Sequence, residues 1–416
     1  MYRVSRFVPR FAACLLAGAA LALIWANLDP QSYSDFVEYR LADHSLIGYP
    51  NPDAAFPLFD RTLTLAYLVG QALVALFFLY IGKELWEALV LRHGAFHGRR
   101  ALGPLVAAAV AAAVPALVYL GLSGFVADPP LPYSGAGWPV PMAGDVALSY
   151  LVGRAALGRD HPALRYLLLV AIADDILALL ITGIAVPIGS LQPVWLLLPL
   201  GASLAVWLMF NAGPRWRDGD DPLKPAQRAA LRFGAWPYAV AGVISWLGMQ
   251  QAGLMPALGL LPIIPAVPHA DHSFGVFAEA ETVLSDLLNR IARRLVVPVS
   301  VILFVFGLTH AGVPLHSANG ETLAVALALL IGKPLGVILG AALAMRLLHR
   351  PLPQGMAPAD LIPVGLAAAI GFTVPLFAID ATLPGGVLRE GARLGLLVSL
   401  LAAPAALLTG PRRRGR

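Results

Sequence analysis

The chain has 416 residues, 58% of them hydrophobic and 13% charged, with a mean hydropathy of +0.75. Soluble domains carry about 25% charged residues, so a soluble enzyme or binding module is excluded and a polytopic membrane protein is indicated. The net charge of +5 comes from basic residues scattered through loops without forming a stripe, which argues against nucleic acid, and the single cysteine, Cys14, excludes a disulfide framework or cysteine-rich metal cluster.

Arg3, Arg6 and Arg10 precede an apolar segment from Phe11 to Leu28. No clear small-x-small cleavage site follows it, so a first spanning helix is expected rather than a signal peptide. Residues 29–60 are expected to form a loop containing Pro and Asp, and a long apolar segment runs from about Leu63 to Val90. Further spans are expected near 104–122, 138–153, 166–186, 193–210, 233–250, 254–268, 295–312, 322–345, 361–380 and 391–409. That makes twelve, of which 254–268 is short and proline-rich. With the N-terminus and every second loop assigned to the cytoplasm, that side holds 23 of the 29 Lys and Arg. The opposite loops hold only Arg40, Arg61 and Arg389. Such alternation predicts twelve spans with both termini cytoplasmic, in the cell's inner (plasma) membrane.

Two spans carry their own interruptions. The fourth has Pro139, Pro141 and Gly144 just before Asp145, and the eleventh has Gly371, Thr373 and Pro375 at its middle. Proline removes a backbone donor and glycine frees the chain, so both spans are expected to unwind near the midplane. Unwound backbone at that depth must line a cavity or lie inside protein. A pair of interrupted helices in two halves of a chain points to a transporter site.

The run from Tyr166 to Val186 is 21 residues long, enough to cross a hydrocarbon core of about 30 Å, yet Asp174 and Asp175 stand near its middle. Each opposes insertion by about 2.5–3.5 kcal/mol. A soluble core helix with its acids toward water would need a polar face at helical spacing, and the run has none. A buried ion or proton site is the reading that remains.

Lys333 stands eleven residues from Thr322 and twelve from Met345, so the nearer end of its span is about 16 Å away, too far for snorkelling. It needs a carboxylate partner, and Asp145, Asp174 and Asp175 are the candidates. Half-helix N-termini carry about +0.5 charge and C-termini about −0.5. Asp145 suits the first kind of end and Lys333 the second. Adjacent Asp174 and Asp175 lie about 100° apart on a helix, so one can pair with the lysine while the other faces a water-filled funnel. A carboxylate that holds either a proton or a small hard cation is the minimum equipment for antiport. Lys83, Glu84 and Glu87 read as a solvated helix end, with Glu84 a candidate for a cytoplasmic funnel. Asp380 reads as interfacial. His269 and His272 lack a metal-ligand context.

Together GWPVPMAGDVAL (137–148), AIADDILALL (171–180), LLIGKPLG (329–336) and AAIGFTVPLF (368–377) resemble the NhaA-type sodium/proton antiporters, with weaker echoes in ALFFLYIGKEL (75–85) and GLTHAGV (307–313). The resemblance implies an all-α polytopic membrane protein forming a single transporter domain over 1–416. Its core would be inverted repeats at about 104–186 and 322–409, with two interrupted helices crossing at the midplane and the remaining helices as scaffold. It implies cation and proton binding at Asp174 and Asp175, with Asp175 the principal ligand for transient sodium. Lys333 would pair with Asp174, and Asp145 would lie beside the crossing. It further implies electrogenic exchange of sodium or lithium for protons.

No cofactor is expected; the partners are small cations, protons and the lipid bilayer, no nucleic acid, and a second copy of the chain if it forms a homodimer. The chain departs from the family pattern at Gly144 (usually threonine), at Gly70-Gln71 (usually asparagine-aspartate) and at Met255 (usually histidine). The departures bear on pH response and ion preference. The competing readings are an intramembrane metal-dependent or aspartyl enzyme, and a non-transporting homologue acting as a sensor.

Overall fold

The computed structural model describes residues 7–50, 61–90, 102–126, 135–185, 191–219, 224–269, 286–347, 349 and 351–411. The chain starts with α1 (Phe7–Leu28) and the short α2 (Pro30–Val37), which Asp29 caps by accepting from the Ser32 N–H at 3.1 Å. The expected plain loop after α1 instead carries α2 and a small antiparallel sheet. Its strands are β1 (Arg40–His44), β2 (Tyr49–Pro50) and β3 (Arg61–Thr64), in the order β1-β3-β2. The fold is therefore helical with one small sheet outside its apolar spans.

The helices that follow are α3 (Leu65–Ala88), α4 (Leu102–Val126), α5 (Val146–Leu157), α6 (Pro162–Ala185), α7 (Pro193–Asp218), α8 (Pro225–Phe233) and α9 (Trp236–Gln251). Then come α10 (Leu287–His310), α11 (Gly320–Leu347), α12 (Leu361–Ala368), α13 (Thr373–Thr382) and α14 (Val387–Thr409). Among the described residues, seven helices are long and apolar enough to cross a membrane, and α12 with α13, bent by 53°, makes an eighth if counted as one broken span. The segment expected as a span at 254–268 is not an α-helix. It forms 3-10 turns at Pro256–Leu258 and Leu261–Ala266, because Pro256, Pro262 and Pro265 remove the donors an α-helix would need.

Proline also explains two widened stretches. In α7 the π-helical turn Trp207–Ala212 ends just before Pro214, and in α11 the turn Ala328–Gly332 ends just before Pro334. A π-bulge absorbs the lost backbone bond without breaking the helix.

Leucine, valine and tryptophan side chains on α7 and α9, among them Leu197, Leu200, Leu204, Trp236, Val240 and Val243, face outward. A contiguous exposed apolar surface of this kind belongs in lipid. The interior is formed by α5, α6, α12 and α13, whose side chains are mostly buried. They are held by α4 against α11 and by α1 against α10.

The α4–α11 seam is built on small residues at four-residue spacing. A Cβ at Gly332 would lie 2.8 Å from Pro115 Cα, one at Gly336 2.9 Å from Ala111 Cα, and one at Gly340 2.6 Å from the Ala107 carbonyl oxygen. Close backbone approach replaces the hydrophobic effect as the source of helix association in lipid. Gly336→Leu should therefore push the helices apart and, as overpacking, cost about 1–3 kcal/mol. Thermal unfolding in detergent checks this, and a melting temperature equal to that of the parent would contradict the close seam.

Candidate functional site

The two breaks meet. Residues 140–142 form one 3-10 turn, the chain runs extended through Ala143 to Asp145, and α5 begins at Val146. In the other half α12 stops at Ala368, four non-helical residues follow, and α13 starts at Thr373, where Pro375 lies in the first turn and needs no intrahelical donor bond. Gly144 packs directly on the second break, because a Cβ there would lie 2.6 Å from the Ala368 carbonyl oxygen. A threonine at this position could not fit without moving one of the two chains. The loss of a hydroxyl and the closeness of the crossing are thus one feature.

Asp145 caps both half-helices. Its Oδ1 accepts from the Leu148 N–H of α5 at 2.9 Å. Its Oδ2 accepts from the Thr373 N–H of α13 at 3.1 Å and also from the Thr373 hydroxyl. One carboxylate therefore answers the positive ends of two helices at once, the arrangement that burial in lipid demands of exposed backbone donors. Lys333 serves the opposite kind of end. Its Nζ donates to the carbonyl of Met142, the last residue of the 3-10 turn, and lies 2.7 Å from Asp174 Oδ2. Of the three partners open to it on sequence grounds, it takes Asp174.

Asp174 and Asp175 diverge as neighbours on a helix must. Asp174 is fully buried against Lys333, and its Oδ1 has no hydrogen-bond partner among the described residues. Asp175 accepts at Oδ1 from the Gly144 N–H at 3.1 Å. It also lines a narrow cleft with Asp145 and Thr373, whose other walls are apolar side chains of α1, α3, α5 and α10. Three carboxylates and one ammonium stand together at this junction, with Asp145 and Asp175 on the cleft. The formal excess of negative charge suits it to take up positive charge, as protons or as a small cation that prefers oxygen ligands.

Glu84 is not brought to this site. It lies in a buried group on α3, where Lys83 Nζ is 3.0 Å from Glu84 Oε1 and 2.7 Å from Glu87 Oε2, and Asn289 of α10 donates to Glu87 Oε1 at 3.2 Å. The expectation of a solvated helix end is corrected: a partner 202 residues away covers these charges. Asp380 lies half-buried near the end of α13 and pairs with Arg393 at 2.7 Å. Met255 is fully buried and His269 lies edge-on to Trp86, while His272 falls outside the described residues. Sequence reasoning used Thr373 only as a breaker and did not foresee the Gly144 N–H or Met142 carbonyl as partners. The crossing of two breaks was the available signal for all three.

Removing the ammonium would leave Asp174 buried and unpaired, and breaking a buried pair from one side costs about 3–5 kcal/mol. Lys333→Ala should therefore lower the melting temperature in detergent well beyond measurement error. An unchanged value would mean that the pair contributes nothing to the fold.

The family model described as Na+/H+ antiporter 1 matches residues 8–409. The chain is 45% identical over 413 residues to a protein of Jannaschia sp. (strain CCS1) named Na(+)/H(+) antiporter NhaA, covering 99% of this chain and 98% of that one. Proteins of the same name from Geobacter sulfurreducens and Desulfitobacterium hafniense (strain DSM 10664 / DCB-2) are 32% and 31% identical. The matches cover 99% and 98% of this chain and 98% and 95% of theirs. These are transporters, which sets aside the intramembrane-enzyme reading. The chain belongs to the Na+/H+ antiporter 1 family.

Proposed function

We propose that this integral membrane protein exchanges sodium or lithium for protons, electrogenically, at Asp174 and Asp175. The observation that carries the reading is the junction itself. Two broken helices meet at one carboxylate and one ammonium, and a further carboxylate, Asp175, is held by the Gly144 N–H at the edge of a cleft. In this reading Asp175 is the principal ligand, Asp174 exchanges its lysine partner for protons, and Asp145 and Lys333 balance the helix ends.

Twelve spans in an inner (plasma) membrane, with both termini cytoplasmic, complete the reading. The core would be inverted repeats at about 104–186 and 322–409. Matched order supports this: α4, a broken segment and α6 in one half, and α11, a broken segment and α14 in the other. A non-transporting homologue would keep this architecture and lose the flux, so flux decides between them.

The Asp175→Asn protein, reconstituted in vesicles containing a pH dye, should show no sodium- or lithium-driven proton movement while remaining monodisperse. Full flux in that variant would remove Asp175 from the site.

Protons and sodium meet on the same carboxylates, and Met255 offers no titratable group of its own. Competition then requires the apparent sodium affinity to weaken by up to about tenfold per pH unit for each competing proton. With equal pH on both sides of the membrane, saturating sodium should restore the rate at acid pH. Failure of that rescue would reveal a separate group that switches the protein off.

A further inference from the structure

The cleft reaches Asp175 from one end of the molecule. Its walls include Phe11 and Leu15 of the first half of α1 and Phe77 and Ile81 of the second half of α3. At the other end α10 and α13 finish and α14 begins, and there a second group of charged side chains lies half-buried around the buried His310. Asp380 Oδ1 lies 2.7 Å from Arg393 Nη2 and 3.7 Å from Arg389 Nε, while Oδ2 lies 3.7 Å from His310 Nε2. The His310 ring stacks on Phe306 at 4.4 Å, and its Nδ1 is 2.7 Å from the Thr309 hydroxyl. It fits against α3 only because residue 70 is glycine, where a Cβ would come within 2.7 Å of Nε2.

This group joins different bodies of the proposed transporter. His310 belongs to α10 in the scaffold, and Asp380, Arg389 and Arg393 belong to α13 and α14 of the second repeat. Asp380 is also tied to the ion site. It sits seven residues after Thr373 on the same short helix, about 10 Å along its axis, and Thr373 is the residue that bonds Asp145. The approach of His310 to Asp380 crosses between the two bodies and is an ion pair only while the imidazole is protonated; a packed interface of this kind has discrete made and broken states.

We propose that His310, Asp380 and Arg393 form the gate that closes the end of the molecule opposite the cleft, and that this gate parts when the site turns to that side. The proposal rests on the antiport reading, because an exchanger must expose one site to each face in turn. Asp380 makes its contact to the scaffold through His310 and is held in place by Arg393 within its own half. A gate variant should therefore change access to the site without changing the ligands.

The test is labelling of a cysteine in the cleft. With Cys14→Ser as background and Ala147→Cys as probe, a membrane-impermeant maleimide is applied from the face opposite the N-terminus. Asp380→Asn and Arg393→Gln should each raise the labelling rate about tenfold or more, as expected when a closed state loses its dominance. Unchanged labelling in both overturns the gate. If these variants fail to fold, His310→Cys with Asp380→Cys, joined by a short cleavable bis-thiol reagent, gives the second reading. Exchange should stop on cross-linking and resume on cleavage, and undiminished exchange by fully cross-linked protein overturns the proposal. Raised labelling in a protein whose parent shows no sodium-driven flux would keep the gate and remove the antiport reading.

Discussion

Backbone that unwinds at membrane depth has no water to bond, and that constraint organises the centre of this protein. Two chains break there, exposing donors at the starts of α5 and α13 and acceptors at the end of the 140–142 turn. Asp145 answers the donors of both helices and Lys333 answers the acceptor. Asp174 balances Lys333, and Asp175 is held by the backbone of the first break. Each charge is thus first a solution to a hydrogen-bonding problem. In the proposed exchange the cation is taken up at Asp175, which the same arrangement leaves at the cleft beside Asp145.

Much of this was legible in the sequence, for a reason that does not extend to the rest of the chain. A carboxylate or lysine in the middle of a long apolar run stands out because hydrocarbon penalises it, and Asp174, Asp175 and Lys333 all announce themselves in that way. Proline and glycine mark the two breaks just as plainly. The partner of Lys333 was not legible from spacing, since three acids stood at comparable depth. Only the turn of α6 and the crossing decide between them.

The misreadings share a physical cause. Lys83, Glu84 and Glu87 sit near a helix end, where solvation is the usual outcome, and nothing local shows that Asn289 of α10 closes over them. The partners of Asp380 were hidden in the same way, because they come from α10 and α14. Hydropathy marks 254–268 as apolar, but it does not weigh the missing donors of three prolines, so it does not show that this segment winds as 3-10 turns and not as an α-helix. The strands at 40–64 are short and partly exposed and leave little periodic signal.

The α4–α11 seam has a mechanical meaning. Gly332 touches the backbone of Pro115, and the next residue is Lys333. The ammonium is therefore mounted on a joint with no side chain to yield between the two helices. Such a joint transmits displacement without damping. Tilting α4 by a fraction of an ångström moves the lysine by the same amount relative to Asp174, whereas a seam padded with leucine would absorb the shift by changing rotamers. Whatever motion carries the site between the two faces of the membrane must then take α4, α11 and the lysine together, as one stiff beam.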